Sequence, residues 1–234
     1  MLKKLKAELL DKYYLNSETI FAKLSLPDQL GFKAGQYIIV DIPDKDGVKK
    51  RLYSIASPES DQKMIELIIK IIPKGAGSEF FKARNPGDII NITGPAGVFT
   101  LEKNDQPKVF LATGTGIAPI RSMLKSYSQD KPKVPLFLFW GMRRKSDLYL
   151  VQEYESLKKK FYFFKYFFCL SRDKKKGEHI YPGYVQQAAE HILPKNILLN
   201  AEFYICGGRN MVDELQKYLL QKGIPKNRLH FERF

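Results

Sequence analysis

Up to about Lys103 the chain alternates short apolar, β-branched runs with turn residues, and beyond Asn104-Asp105-Gln106-Pro107 that rhythm changes. The early runs are Lys4–Leu10, Thr19–Leu26, Gln36–Ile42, Arg51–Ala56, Met64–Ile72 and Asp88–Ile92, separated by Pro27-Asp28, Pro43-Asp44, Asp46-Gly47 and Pro86-Gly87. Asp46-Gly47 predicts a hairpin with a type I′ turn, which needs positive φ at both central positions. Six short strands with frequent turns predict a closed antiparallel β-barrel, which leaves no exposed edge. The later apolar runs Val109–Ala112, Leu136–Trp140, Phe163–Leu170 and Phe203–Cys206 alternate with helical patterns over Pro119–Ser128, Ser146–Lys160, Tyr184–His191 and Met211–Gln221. With a last strand at Leu229–Phe234 this predicts an α/β domain with a five-stranded parallel sheet and crossover helices. The expected division is residues 1–103 and 104–234.

Of the 234 residues, 44% are hydrophobic and 27% charged, as in an ordinary globular protein. No apolar run reaches the ~18 residues of a membrane helix. The densest, Phe161 to Leu170, is interrupted by Lys165 and reads as a buried strand. Charges break the start, Met1-Leu2-Lys3-Lys4-Leu5-Lys6, where a signal peptide would have its apolar core, so a cytoplasmic protein is expected. Two cysteines, Cys169 and Cys206, in no Cys-x-x-Cys pattern, argue against a zinc site, an iron–sulfur centre or a disulfide framework. His179, His191 and His230 have no ligand spacing, and no metal is expected.

The formal net charge is +14. It fits either a solvated lysine-rich surface or a basic face that steers an acidic partner. Clusters such as Lys158-Lys159-Lys160 and Lys174-Lys175-Lys176 belong at element ends or in loops. No DNA- or RNA-binding motif accompanies the charge, so nucleic acid is not expected as a partner.

Thr113-Gly114-Thr115-Gly116-Ile117-Ala118-Pro119 follows a strand and opens a helix. Glycines there let the backbone approach a pyrophosphate, the helix N-terminus supplies N–H groups, and Pro119 suits the first turn. A plain tight turn fits the same pattern. The acidic ribose ligand of NAD enzymes is missing after the second strand of this half. Arg143 and Arg144 stand there, and Ser171-Arg172 ends the third strand. Basic groups at these positions favour a 2′-phosphate, hence NADPH with NADH as the alternative. Exposed charges without a ligand fit as well. In the first half, strand alternation puts Arg51 and Tyr53 on one face, a cation beside a flat ring. Gly75-Ala76-Gly77-Ser78 offers a second anion nest, and Gly94-Pro95-Ala96-Gly97 reads as a structural turn.

Taken together and in this order, the motifs resemble those of the ferredoxin–NADP reductase superfamily over nearly the whole chain. Arg51-Leu52-Tyr53-Ser54 resembles its flavin signature and Gly75-Ala76-Gly77-Ser78 its flavin pyrophosphate loop. Gly94-Pro95-Ala96-Gly97 resembles its barrel-end turn, Gly114 to Pro119 its NAD(P) loop, and Tyr204-Ile205-Cys206-Gly207-Gly208 its nicotinamide-side motif. The resemblance implies that Arg51 holds the FAD pyrophosphate, Tyr53 stacks on the isoalloxazine and Ser54 lies near N5. Gly77 and Ser78 would donate to the pyrophosphate, the hydroxyl of Ser78 included. Thr113, Gly114, Thr115, Gly116 and Pro119 would bind the nicotinamide nucleotide, with Ser171 and Arg172 at its 2′-phosphate, where the strand-end reading adds Arg143, and Cys206 and Gly207 beside the nicotinamide. Glu232-Arg233-Phe234 resembles the plant-type ending, which has Tyr where this chain has Phe. It implies Glu232 in the active-site hydrogen bonds and Phe234 over the flavin.

The function expected is hydride transfer from NADPH to FAD and delivery of the electrons to an acceptor. An acidic ferredoxin or flavodoxin competes with an oxygenase component and with free flavin or ferric chelates for that role. A basic binding module without turnover is the alternative class. A monomer or weak oligomer is expected, and no membrane span.

Overall fold

The computed structural model describes residues 2–130 and 133–234. It divides into two compact units, Met1–Leu101 with Arg121–Tyr127, and Glu102–Ile120 with Ser128–Phe234. The first unit holds β1 (Lys3–Asn16), β2 (Thr19–Ser25), β3 (Tyr37–Asp44), β4 (Gly47–Ser54), β5 (Met64–Lys70), α1 (Ala76–Ala83) and β6 (Ile89–Ala96). These strands form one antiparallel sheet in the order β4-β3-β6-β1-β2-β5, whose outer strands are linked by the isolated bridge Ile55–Leu67. Curling encloses a core that includes Ile20, Leu24, Ile38, Val40, Leu67, Phe81 and Ile92. Alternation supplies it: along β1 Ala7 and Leu9 point inward while their neighbours stay exposed.

Three local expectations are corrected. The β3–β4 hairpin turns at Lys45-Asp46, since Asp44 pairs with Gly47. Only Lys74 and Leu150 have positive φ among the described non-glycine residues, so Asp46 is not in a type I′ turn. Gly47, at φ 126°, takes the left-handed position as the first residue of the returning strand. Gly94, Pro95 and Ala96 lie inside β6 rather than in a turn, with a cis bond between Gly94 and Pro95. β1 runs on to Asn16, since its polar continuation pairs with β2 up to Asn16–Thr19.

The second unit contains β7 (Lys108–Thr113), β8 (Leu136–Met142), β9 (Phe164–Leu170), β10 (Ile180–Pro182), β11 (Glu202–Gly207) and β12 (Leu229–Arg233). They form a parallel sheet in the order β10-β9-β8-β7-β11-β12. The short β10 adds a sixth strand to the five the apolar pattern predicts. Its three residues, Ile-Tyr-Pro, are too few to carry a periodicity. The sheet's helices are α2 (Ile117–Gln129), α3 (Val151–Lys160), α4 (Val185–Ile192), α5 (Lys195–Asn200) and α6 (Arg209–Gln221). Every residue of Leu136–Trp140 is buried, as expected of a central parallel strand covered on both faces. No helix among the described residues is long and apolar enough to cross a membrane.

The run Phe161–Leu170 is not strand throughout. Phe164 begins β9, while Tyr162 and Phe163 occupy an exposed turn, held by the bond from Phe164 N–H to the Phe161 carbonyl at 3.0 Å. Chain reversal out of α3 takes precedence there over apolar continuity.

At the amino end of β7, Lys108 is fully buried. Its ammonium donates to the carbonyl of Gln106 at 2.7 Å, the carbonyl of Asn104 at 3.2 Å and the Asn104 side-chain oxygen. Glu202, itself bonded to His230 at 2.8 Å, faces it from β11. Burial pulls the Lys108 ammonium down to about 8, against the pull of Glu202, Glu102 and Asp105. Below that pH Lys108 is charged in both folded and unfolded chains. Above it, up to about pH 10, the folded chain releases a proton that the unfolded chain keeps, so stability should rise with pH in that window. Urea midpoints measured across it should climb in the parent and stay flat in Lys108→Met.

Candidate functional site

In the first unit the site is assembled where α1 meets β4. A Cβ on Gly77 would lie 2.2 Å from the Tyr53 hydroxyl and 3.6 Å from Arg51 Cγ. Only glycine therefore permits this approach, which brings Gly77, Tyr53 and Arg51 together. Arg51 is exposed, and its Nη1 donates backward to the Lys50 carbonyl at 2.9 Å. Tyr53 meets Phe81 edge-on at 5.2 Å, and burial pushes its phenol up to about 12 against the pull of Arg51. The ring is thus a neutral, fixed platform at any working pH. Ser54 is half-buried at the end of β4.

Helix α1 starts just after Gly75, and no side chain caps the N–H groups of its first turn. Its other end is secured from far away in sequence. Lys12 donates to the carbonyls of Phe81 at 3.2 Å, Lys82 at 2.9 Å and Arg84, an ammonium where the helix dipole is negative. The buried Ser78 hydroxyl accepts from Ile72 N–H at 2.8 Å and donates to the Lys70 carbonyl at 3.3 Å. Its proton is engaged inside the loop. That side chain, expected as a donor to the pyrophosphate, is committed to the loop itself.

In the second unit all nucleotide-loop residues gather at the carboxyl ends of the parallel strands, where such folds bind ligands. Thr113 ends β7, Gly114–Gly116 form one 3₁₀ turn, and the buried Pro119 is the third residue of α2. Gly114, at φ 53°, faces open space, as does Gly208 ahead of α6; a Cβ at either would meet nothing within 4 Å. Such an open backbone next to helix N-termini admits a pyrophosphate. Gly116 is the opposite case, since a Cβ there would sit 2.3 Å from the Cys206 carbonyl oxygen. The Gly114 carbonyl is held by the indole N–H of buried Trp140 at 2.9 Å, with the Tyr149 hydroxyl at 3.5 Å. The sequence offers one signal of that anchor, a lone Trp whose N–H needs a partner once buried.

Ser171 N–H bonds to the Met142 carbonyl at 3.1 Å and Arg172 N–H to the Arg143 carbonyl at 2.8 Å. These bonds carry the register of β8 and β9 beyond their ends and set Arg143, Ser171 and Arg172 side by side, all exposed. Among the described residues no acid pairs with either guanidinium. Cys206 is fully buried on β11, opposite Glu232 of β12 in the strand register, and Gly207 is opposite Arg233. Burial first, and then Glu232, raise the Cys206 thiol well above its ordinary value, so it stays protonated. Phe234 is 63% exposed, its N–H bonded to the Gly207 carbonyl at 3.3 Å.

Residues 6–101 match the family described as oxidoreductase FAD-binding domain, and residues 110–217 match the oxidoreductase NAD-binding domain. Ferredoxin–NADP reductase B of Sorangium cellulosum is 30% identical over 211 residues, 87% of this chain and 85% of that protein. The chain belongs to the ferredoxin–NADP reductase superfamily. Its two matched regions are thus an FAD-binding and an NAD-binding domain of the oxidoreductase kind. The toluate 1,2-dioxygenase electron transfer component of Pseudomonas putida is 31% identical over 213 residues, 88% of this chain. The chain spans 60% of the length of that relative. A ferredoxin NADP+ reductase from Neisseria gonorrhoeae, solved with bound FAD and NADP, shares the fold at a TM-score of 0.83 and 22% identity, covering 99% of this chain and 98% of that one.

The two half-sites should fail separately when changed. Gly116→Ala drives a methyl into the Cys206 backbone, so NADP(H) affinity should fall while the protein keeps its FAD. Nucleotide titration beside flavin absorbance checks this. Arg51→Ala should weaken FAD retention by about 1.5–3 kcal/mol, the size of a charge-assisted phosphate contact. FAD released on dilution is the measurement, and retention equal to the parent's would remove Arg51 from the pyrophosphate.

Proposed function

We propose that this reductase takes its hydride from NADPH in preference to NADH and passes electrons to an acidic carrier protein of the ferredoxin or flavodoxin kind. The observation that carries the nucleotide preference is the exposed group Arg143, Ser171 and Arg172, two guanidiniums at adjoining strand ends with no acidic partner among the described residues. A 2′-phosphate supplies the missing anion, and bidentate arginine contacts suit its geometry. FAD, when bound, accepts a hydride at N5 from nicotinamide C4 and releases the electrons to an acceptor.

The chain's own residues bind and orient. Arg51 and the first-turn N–H groups of α1 hold the flavin pyrophosphate, and Tyr53 gives the flat ring a rigid neighbour. Thr113 to Gly116 and Gly207 receive the nicotinamide nucleotide. In the first unit Ser54 serves the flavin side, and in the second Cys206, Glu232 and Phe234 serve the nicotinamide side. Cys206 is buried and stays protonated, and Glu232 lies opposite it in the strand register. The carrier reading draws on the net charge of +14, which raises the encounter rate with an acidic partner. A second reading, the reductase component of an oxygenase, is favoured by the relatives named as oxygenase electron transfer components.

The ratio of kcat/KM for NADPH over NADH should exceed one in the parent and fall at least tenfold in Arg172→Ala, the equivalent of ~1.4 kcal/mol. Equal use of the two nucleotides would remove the 2′-phosphate site. Reduction of an acidic ferredoxin should slow as salt shortens the Debye length to ~10 Å, whereas a small acceptor such as a ferric chelate should show no comparable loss.

A further inference from the structure

At the end of the parallel sheet opposite the nucleotide loops, the turn between α3 and β9 carries an apolar pair at its tip. The bond from Phe164 N–H to the Phe161 carbonyl, 3.0 Å, makes Tyr162 and Phe163 the two central residues of a β-turn. Those positions ordinarily take Gly, Pro, Asn, Asp or Ser. Here Tyr162 is 90% and Phe163 45% exposed, their rings edge-on at 5.3 Å. The turn is rigid at its base, because the Phe163 carbonyl also accepts from Leu136 N–H at 3.0 Å. Tyr162, almost wholly exposed, adds little to the unit's own packing, and Phe163 stays half exposed beside it.

Lysines lie near the pair in sequence and strand register. Lys159 and Lys160 close α3, Lys133 lies three residues ahead of the Leu136 that bonds the turn, and Lys165 follows on β9; all four are exposed. None of Lys133, Lys159 and Lys160 forms an ion pair with a described residue. Lysines in a last helical turn complement the helix dipole, which accounts for two of the charges but not for the rings. Lys158, the next one back, is instead spent on Glu178 at 3.1 Å.

We infer that the Tyr162–Phe163 turn and its lysines form a docking surface for an anionic lipid membrane. Aromatic rings concentrate at the membrane interface, and lysine is attracted to anionic headgroups. A protein partner fits less well, since interface cores favour arginine and are depleted in lysine. The surface stands at the amino ends of the strands and the nucleotide loops at their carboxyl ends. Attachment therefore leaves the loops of this unit free to exchange nucleotide.

The test is sedimentation of the FAD-loaded protein with vesicles of phosphatidylcholine alone and of phosphatidylcholine mixed with phosphatidylglycerol. Binding is expected only to the mixed vesicles and should weaken with salt. Lys159→Gln and Lys160→Gln should each lower affinity about fivefold, the effect of ~1 kcal/mol per surface cation. Tyr162→Ser combined with Phe163→Ser should lower it more than tenfold while NADPH oxidation with a soluble dye is unchanged. Tyr162→Trp should retain binding and show a blue shift of its emission on the mixed vesicles. No binding to mixed vesicles overturns the inference. So does binding that survives loss of both rings, which would be diffuse attraction to the net charge. An acidic ferredoxin whose affinity falls on loss of the rings, without vesicle binding, would assign the surface to a protein instead.

Discussion

The nucleotide half of this molecule depends on a gap with no room for a carbon atom. Gly116 passes so close to the Cys206 carbonyl that any side chain would enter the backbone of β11. That closeness allows the loops after β7 and β11, far apart in sequence, to present their glycines along one edge of the sheet. Trp140 fixes the other flank by holding the Gly114 carbonyl. The loop is thereby set before any nucleotide arrives, and little ordering entropy remains to oppose binding.

The flavin half solves the same problem with different parts. Gly77 gives up its side chain to Tyr53, and Ser78 gives up its hydroxyl to the turn that carries it. Lys12 secures the carboxyl end of α1, so the helix that offers N–H groups at one end is anchored by a cation at the other. Each half thus pairs backbone held in place by nearby side chains with exposed guanidiniums, Arg51 in one and Arg143 and Arg172 in the other.

The division of labour explains what the sequence made legible. Glycine-rich loops, strand alternation and the change of rhythm near residue 104 are local signals, and the parallel and antiparallel sheets follow from them. The exposed cluster of Arg143, Ser171 and Arg172 was readable because strand ends in a parallel sheet fall on one edge. Features that depend on distant partners were not. Lys12 acts on carbonyls about 70 residues on, and neither the engagement of the Ser78 hydroxyl nor the burial of Lys108 has a local pattern. β10 and α5 are too short to carry a periodicity. The run from Phe161 misled for a related reason: composition alone does not separate an aromatic strand from an aromatic turn that leads into one.

Both thiols of the described chain are buried, Cys169 near the end of β9 and Cys206 near the end of β11. Burial holds each in the protonated form, and alkylating reagents and peroxide act on the thiolate. Neither sulfur reacts, then, until its strand opens to solvent. The parallel sheet thus carries two built-in reporters of local opening, one on each side of β7 and β8. Their labelling rates measure how readily each flank of the sheet breathes, and nucleotide seated against Gly116 would be felt first at Cys206.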